Sequence, residues 1–312
     1  MLASAIIAAR LMQFGGAMVL LGSPLFLLYS PAVPRGQAPQ GLAPMWPRPL
    51  LLGAAVVLGV GAVVALWAQA AVLNDAPIQT LSPAAVLEVI TSTKFGMFTA
   101  ARVGLAALGG LLLIGLRPSR GLWLALTATG VLTAASFVWT GHGSAGDGAL
   151  GPAHMASDFL HLLAAAVWLG ALASLALSLV TADASSPAEL DRLHRSLAGL
   201  SGVGSGAVLV LLVSGIMNSW VLVGPDHVGA LLQDPYGRLL CAKVVIFAVM
   251  ITFAAVNRFR LTPSLRLAID GHGSLDKALG DLRRSVVSEA VAGLLVLVAV
   301  AALGTLPPPI SQ

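Results

Sequence analysis

The sequence predicts an all-α membrane protein, a polytopic bundle of eight transmembrane helices. Three observations carry that expectation. Of the 312 residues, 57% are hydrophobic and only 10% charged, against about 25% charged in a soluble domain. Eight apolar stretches of roughly 20 residues or more follow one another, each long enough to cross a hydrocarbon core of about 30 Å as a helix. Lysine and arginine collect in the short segments between them, which is how topology is written into a chain. A soluble globular enzyme is excluded, and so is an outer-membrane barrel, whose strands would alternate over ~10 residues. The pI near 9.8 therefore reflects orientation, and no nucleic-acid partner is expected. The one cysteine, Cys241, lies inside an apolar span, so no intramolecular disulfide is available.

The expected helices run at about Ile6–Tyr29, Leu50–Leu73, Phe95–Leu116, Gly121–Thr140, Pro152–Val180, Leu197–Val223, Tyr236–Val256 and Val286–Leu306, in a single transmembrane domain 1–312. The first lacks a basic start, and Tyr29-Ser30-Pro31 is a poor cleavage site, so it reads as a helix rather than a signal peptide. Before the third span, Ser82-Pro83 followed by Val86, Leu87, Val89 and Ile90 predicts a short interfacial helix, with Ser82 as N-cap and Pro83 in the first turn. The small-residue stretch Gly202–Gly206 predicts a close helix contact.

Orientation follows from counting. Segments after spans one, three, five and seven hold 12 of the 17 lysines and arginines, and the opposite side holds only Lys94 and Arg238. The richer side faces the cytoplasm, so both termini are expected in the periplasm. On this reading Ser264–Asp281 is the main cytoplasmic loop.

The chain also carries a weak internal likeness. Gln13 with Val19-Leu20-Leu21-Gly22 matches His161 with Val167-Trp168-Leu169-Gly170. Phe95-Gly96 with Arg102 matches Tyr236-Gly237 with Lys243, and Arg10 falls opposite Asp158. The matched segments lie four spans apart, which describes a parallel 4+4 repeat. The alternative is chance likeness between apolar helices.

Ionisable groups at membrane depth are costly and mark function by default. Here they are Arg10, Arg102, Asp158, His161, Lys243 and Glu289, with Asn218 and Asn257 nearer the ends of their spans. The sharpest constellation is His142, at the end of span four, then His154, Met155, Asp158 and His161 on span five. His154, Asp158 and His161 stand at i, i+4 and i+7, one face of a helix. An 11-residue Gly/Ala-rich hairpin separates His142 from His154. Imidazoles with a thioether and a carboxylate suit copper, as Cu(I) or Cu(II), better than hard oxygen-seeking ions. The plainer alternative makes each histidine a packing residue bonded to a backbone carbonyl. Arg10, Arg102 and Lys243 would repel a cation nearby unless they snorkel outward, pair with Asp158, Asp147 or Asp234, or meet an anion absent from the sequence. Glu289 reads either as an ion partner or backbone-bonded protonated carboxyl, or as a proton or cation step near the cytoplasmic exit.

Five groups in order carry a resemblance: Thr93-Lys94-Phe95-Gly96 with Arg102; Gly141-His142; Asp158-Phe159-Leu160-His161 through Trp168-Leu169-Gly170; Tyr236-Gly237-Arg238 with Lys243; and Asn257, Arg283-Arg284-Ser285 and Glu289. The series resembles the copper resistance protein D (CopD) family of bacterial inner-membrane proteins. The resemblance implies eight helices, copper transport across the cytoplasmic membrane, inward from the periplasm, and a periplasmic carrier of the CopC type as partner. No Walker or phosphorylation motif is present, so no ATP-driven enzyme is expected. Two other readings compete: a haem- or quinone-linked redox protein, which wants facing histidines at one depth, and a copper sensor or assembly factor without transport.

Overall fold

The computed structural model describes residues 2–30, 47–140, 151–224, 229 and 231–309, and every regular element among them is helical. The helices are α1 (Leu2–Tyr29), α2 (Arg48–Leu73), α3 (Pro83–Ser92), α4 (Lys94–Gly115), α5 (Arg120–Val138), α6 (Gly151–Thr181), α7 (Pro187–Val223), α8 (Pro235–Val256), α9 (Thr262–Ile269) and α10 (Leu275–Leu303). All but α3 belong to eight segments long and apolar enough to cross a membrane, with α8 and α9 sharing one, Pro235–Ile269. Large apolar side chains such as Leu111, Ile114, Val213 and Ile216 point outward on several of them, an arrangement water would penalise and lipid accepts.

Helix starts follow local chemistry. Ser82 accepts from the Ala85 N–H, Thr93 from Gly96, Ser119 from Leu122, Asp234 from Gly237 and Ser274 from Lys277. Each oxygen satisfies an amide that the helix itself leaves open. The short helix after Ser82 is therefore present as expected. Asp234, considered above as a partner for a buried cation, is instead the cap of α8.

Three boundaries differ from expectation. α7 starts at Pro187, not Leu197, and α10 at Leu275, not Val286. α8 passes through a π-helical turn, Asn257–Leu261, into α9. Most of the expected loop Ser264–Asp281 is thus helix. The physical reason is that hydropathy marks only the part of a helix that lies in lipid, while Leu, Ala, Arg and Lys keep the backbone helical beyond it. At this arginine-rich face Asp191 of α7 pairs with Arg195 and Arg266, and Arg266 with Asp270.

α1 and α6 form the centre. α1 packs against α2, α5, α6 and α10, and α6 against α1, α5, α7 and α10, while α8 leans mainly on α10. The α1–α6 crossing is made by two glycines. A Cβ on Gly22 would fall 1.8 Å from the Ala166 carbonyl oxygen, and one on Gly170 would fall 2.4 Å from the Gly22 Cα. Ser23 Oγ adds a hydrogen bond to the Gly170 carbonyl at 2.8 Å. Without a hydrophobic drive between helices in lipid, such close backbone approach supplies the attraction. Gly22→Ala and Gly170→Ala should each cost about 1–3 kcal/mol or more. Gly15, with nothing within 4 Å of its Cβ position, should accept alanine without loss. Denaturation midpoints of the purified variants in detergent check the contrast. Gly202 and Gly206 likewise meet nothing within 4 Å, and Gly204 only the Leu200 side chain. Among the described residues the close contact expected there does not occur, because α7 leaves Gly202, Val203, Ser205 and Gly206 exposed.

Candidate metal centre

α6 carries most of the candidate site. Gly151 and Pro152 open it, proline suiting a first turn where its missing N–H costs nothing. One turn in, His154 is 2% exposed, and its Nε2 has no hydrogen-bond partner among the described residues. The nearest carboxylate oxygen, Asp158 Oδ2, stands 3.7 Å away, too far for a hydrogen bond. Met155 is partly buried beside His154. His142 lies outside the described residues, as does Asp147.

His161 sits on the same face, deeper in the bundle. Its Nδ1 is 2.9 Å from Ser214 Oγ on α7. The same hydroxyl reaches the Val210 carbonyl; with its proton placed there it would accept from the ring and leave the His161 Nε2 lone pair for an ion. Ser157 Oγ donates to the Ser214 carbonyl at 3.2 Å, closing the α6–α7 contact. One turn outward from Ser214, Asn218 Oδ1 is also buried without a partner. Two orphaned polar atoms, on Asn218 and His154, therefore occupy neighbouring helices one turn beyond the Ser157–Ser214 bond. Buried polar atoms left open in this way call for an explanation.

The three intramembrane cations have three different environments. Arg102 is 2% exposed and fully bonded by neutral oxygens. Its Nε donates to Ser136 Oγ at 2.9 Å, one terminal nitrogen to Gln13 Oε1 at 2.8 Å and Thr99 Oγ1 at 3.4 Å, and the other to the Ser136 carbonyl at 3.0 Å and Thr140 Oγ1 at 2.5 Å. Its guanidinium also lies 4.1 Å over the Phe137 ring. Among the described residues no carboxylate bonds to it, and at 2% exposure it does not reach outward to solvent. A guanidinium has five donors in a fixed fork, and four polar side chains with one backbone carbonyl meet all of them. Arg10 lies 5.7 Å over Phe14 and presses on the backbone of Gly304, where any Cβ would collide with it. Lys243 of α8 stands within electrostatic reach of both Asp158 and His161.

Glu289 of α10 is 3% exposed. It accepts from Trp168 Nε1 at 2.8 Å and from Asn257 Nδ2 at 2.7 Å. Side-chain donors hold it, neither a cation nor a backbone amide. A cavity of about 970 Å³ lies between α6, α7, α8 and α10, bordered by His161, Lys243, Cys241, Met18 and Met250. A second, of about 290 Å³, lies toward the arginine-rich face and is bordered by Glu289, Asn257 and Arg258. Trp168 borders both. Among the described residues no group of three or more His, Cys, Asp and Glu side chains is already gathered as a metal cage.

Known proteins match nearly the whole of this sequence. A family model described as the N-terminal domain of copper resistance protein D-like proteins matches residues 1–152, and one described as copper resistance protein D matches residues 194–303. Copper resistance protein D of Pseudomonas syringae pv. tomato is 32% identical over 305 residues, 97% of this chain and 96% of that protein. The chain belongs to the copper resistance protein D family. Inner membrane protein YebZ of Escherichia coli K12 is 26% identical over 321 residues, 99% of this chain and 100% of that protein. Copper transport protein CutJ of Bacillus subtilis 168 is 28% identical over 152 residues, 49% of this chain and 25% of that protein. No solved structure matches. α6 falls almost wholly between the two matched regions of the family models, so those models do not describe the helix that bears His154, Asp158 and His161.

Sequence reasoning named Trp168, Asn257 and Gln13 without giving them partners, and passed over Ser214. Two signals were available. Trp168 is seven residues from His161, the same helix face, and Ser214 is a hydroxyl in the middle of an apolar span.

Proposed function

We propose that this protein carries copper inward across the bacterial cytoplasmic membrane, with the arginine-rich face toward the cytoplasm and both termini in the periplasm. Copper enters at the outer end of α6, where His154 and Asp158, joined by Met155 and by His142 from the end of span four, receive it from a periplasmic carrier of the CopC type. His161 is the inner ligand and delivers the ion toward the large cavity. The observation that carries this reading is the buried, partnerless His154 Nε2 held 3.7 Å from Asp158 Oδ2. That gap is too wide for a hydrogen bond and matches two ligand atoms sharing a metal at about 2 Å from each. The Ser214–His161 bond supports it, since a ligating imidazole is oriented by the hydrogen bond of its other nitrogen. Lys243 close to Asp158 offsets the charge of the carboxylate when no ion is present.

The parallel 4+4 repeat belongs to the same proposal, and several contacts favour it. Gly22 and Gly170, matched in sequence, pack on each other. Gly130 would clash with Leu21, and Gly293 with Leu169, which occupy matched positions. Thr93 caps onto Gly96 as Asp234 caps onto Gly237. In this register Gln13 and Arg102 of the first half stand where His161 and Lys243 stand in the second. The first half has closed its polar centre with a guanidinium, and the second has kept a ligand-bearing one.

The test is uptake of radiolabelled copper into proteoliposomes of purified protein. Time-dependent accumulation above that of protein-free vesicles is expected. Wild-type protein that is folded and gives uptake no higher than empty vesicles would sink the transport reading and leave the sensor or assembly-factor reading.

A further inference from the structure

Glu289 presents a charge problem that copper entry at the outer face does not solve. Its carboxylate is buried at the middle of α10, and its two donors, the Trp168 indole and the Asn257 amide, are neutral. Among the described residues no cation bonds to it. On the π-helical turn, Arg258 donates to the Ser201 carbonyl and to Ser205 Oγ of α7. On α10 itself, Arg283 donates to the Leu179 carbonyl of α6, and Arg284 is exposed. On α9, Arg266 and Asp270 pair with each other. The charged groups and histidines of α1, α6 and α8 (Arg10, His154, Asp158, His161, Arg238 and Lys243) lie in the halves of those helices away from the arginine-rich face. A buried carboxylate without a compensating charge is strongly disfavoured.

Two further oxygens, on Asn257 itself and one helical turn from Glu289, are open: Asn257 Oδ1 and Ser285 Oγ are buried with no hydrogen-bond partner among the described residues, on residues 8% and 9% exposed. Ser285 is one turn from Glu289 on the same face of α10. Asn257 and Glu289 border the same inner cavity. Asn257 also opens the π-helical turn, an irregularity that recurs at functional positions in helices. A carboxylate, an amide carbonyl and a hydroxyl make an all-oxygen donor set, which favours hard cations over a soft one such as Cu(I).

We propose that Glu289, Asn257 and Ser285 form an inner site for a hard monovalent cation, a proton or a sodium ion, reached from the arginine-rich face through the smaller cavity. Trp168 connects this site to the path of the cargo. Its indole borders both cavities, stacks edge-on against Phe247 at 5.8 Å, and is held by the Glu289 carboxylate. A hydrogen bond to an ionised acceptor is about twice as strong as a neutral one. A cation arriving at Glu289 weakens that hold and lets the ring between the two cavities turn. Inward movement of copper is then tied to occupancy of the inner site. The coupling, though not the cation binding, rests on the transport reading given above.

The test uses indole emission of the full-length protein in lipid nanodiscs, with no copper present. The difference between wild type and Trp168→Phe isolates the Trp168 signal. That signal is expected to shift on titration with acid, identifying a proton, or with sodium chloride at constant pH, identifying sodium, where choline chloride gives no shift. Glu289→Gln should abolish the shift, and Asn257→Ala should move its midpoint roughly tenfold: to higher sodium concentration if the ion is sodium, which loses an oxygen ligand, or to lower proton concentration if it is a proton, because the lost Nδ2–H no longer favours the ionised carboxylate. A Trp168 signal that ignores both titrations, or the same shift in Glu289→Gln, overturns the site. If Glu289→Gln does not fold, an unshifted midpoint in Asn257→Ala overturns it equally. In proteoliposomes, a gradient of the identified cation should change the rate of wild-type copper uptake and leave that of Glu289→Gln unchanged. Absence of copper uptake in wild type counts against transport and leaves the copper-free result standing.

Discussion

Replacing Arg102 with leucine is expected to remove most of the folded protein from the membrane. The guanidinium joins α1 through Gln13, α4 through Thr99, and α5 through Ser136, with Thr140 just beyond the end of that helix. Leucine fills much of the volume and supplies no donor, so several buried oxygens lose their partner together. At about 1–3 kcal/mol for each buried group left unsatisfied, the loss exceeds about 3 kcal/mol. Arg102→Lys keeps the charge and loses the fork, so it should fall between wild type and leucine. The measurements are the yield of monodisperse protein after detergent extraction and its thermal midpoint. A leucine variant that melts like wild type would show that the polar knot does not hold these helices together.

Loss of copper binding on removing His161 is the second large effect. His161→Ala deletes the imidazole bonded to Ser214, and His154→Ala deletes the buried ring beside Asp158, whose Nε2 has no partner among the described residues. Each should drop copper accumulation in cells toward the level of cells without the protein, with the protein still present in the membrane. Ser214→Ala is more telling, because it touches no ion in the proposed site. It frees the His161 ring to rotate and should weaken copper affinity by about 10–100-fold, the range typical of outer-shell partners. Asp158→Asn should weaken binding as well, since the nearby Lys243 would then stand unbalanced at the cation site. Normal accumulation in a His154→Ala/His161→Ala double variant would overturn the proposed site and leave family membership untouched.

The eight crossing segments, the Ser82 cap and the one-face spacing of His154, Asp158 and His161 were legible from residue types alone. Each depends on local rules: a length of apolar chain, a hydroxyl before a proline, 3.6 residues per turn. The ends of α7 and α10 were not, because hydropathy reports where lipid stops and says nothing about where the helix stops. The environments of the buried charges were not legible either. Arg102 called for a counter-charge by composition, and in space three helices surround it with neutral oxygens. Glu289 and Trp168 are 121 residues apart, and no spacing rule reaches that far.

By itself, then, the order of amino acids determined that this chain is a bundle of apolar helices suited to a membrane, which segments are long enough to cross it, and which helix carries His154, Asp158 and His161 on one face. Only the packing of α1 on α6 through Gly22 and Gly170, and of α10 on α6, decided which polar groups are satisfied and which are left open. The physical reason is range. Helix formation and membrane insertion are summed along neighbouring residues, whereas the pairing of a buried charge depends on which distant side chains the close backbone crossings bring within hydrogen-bond reach.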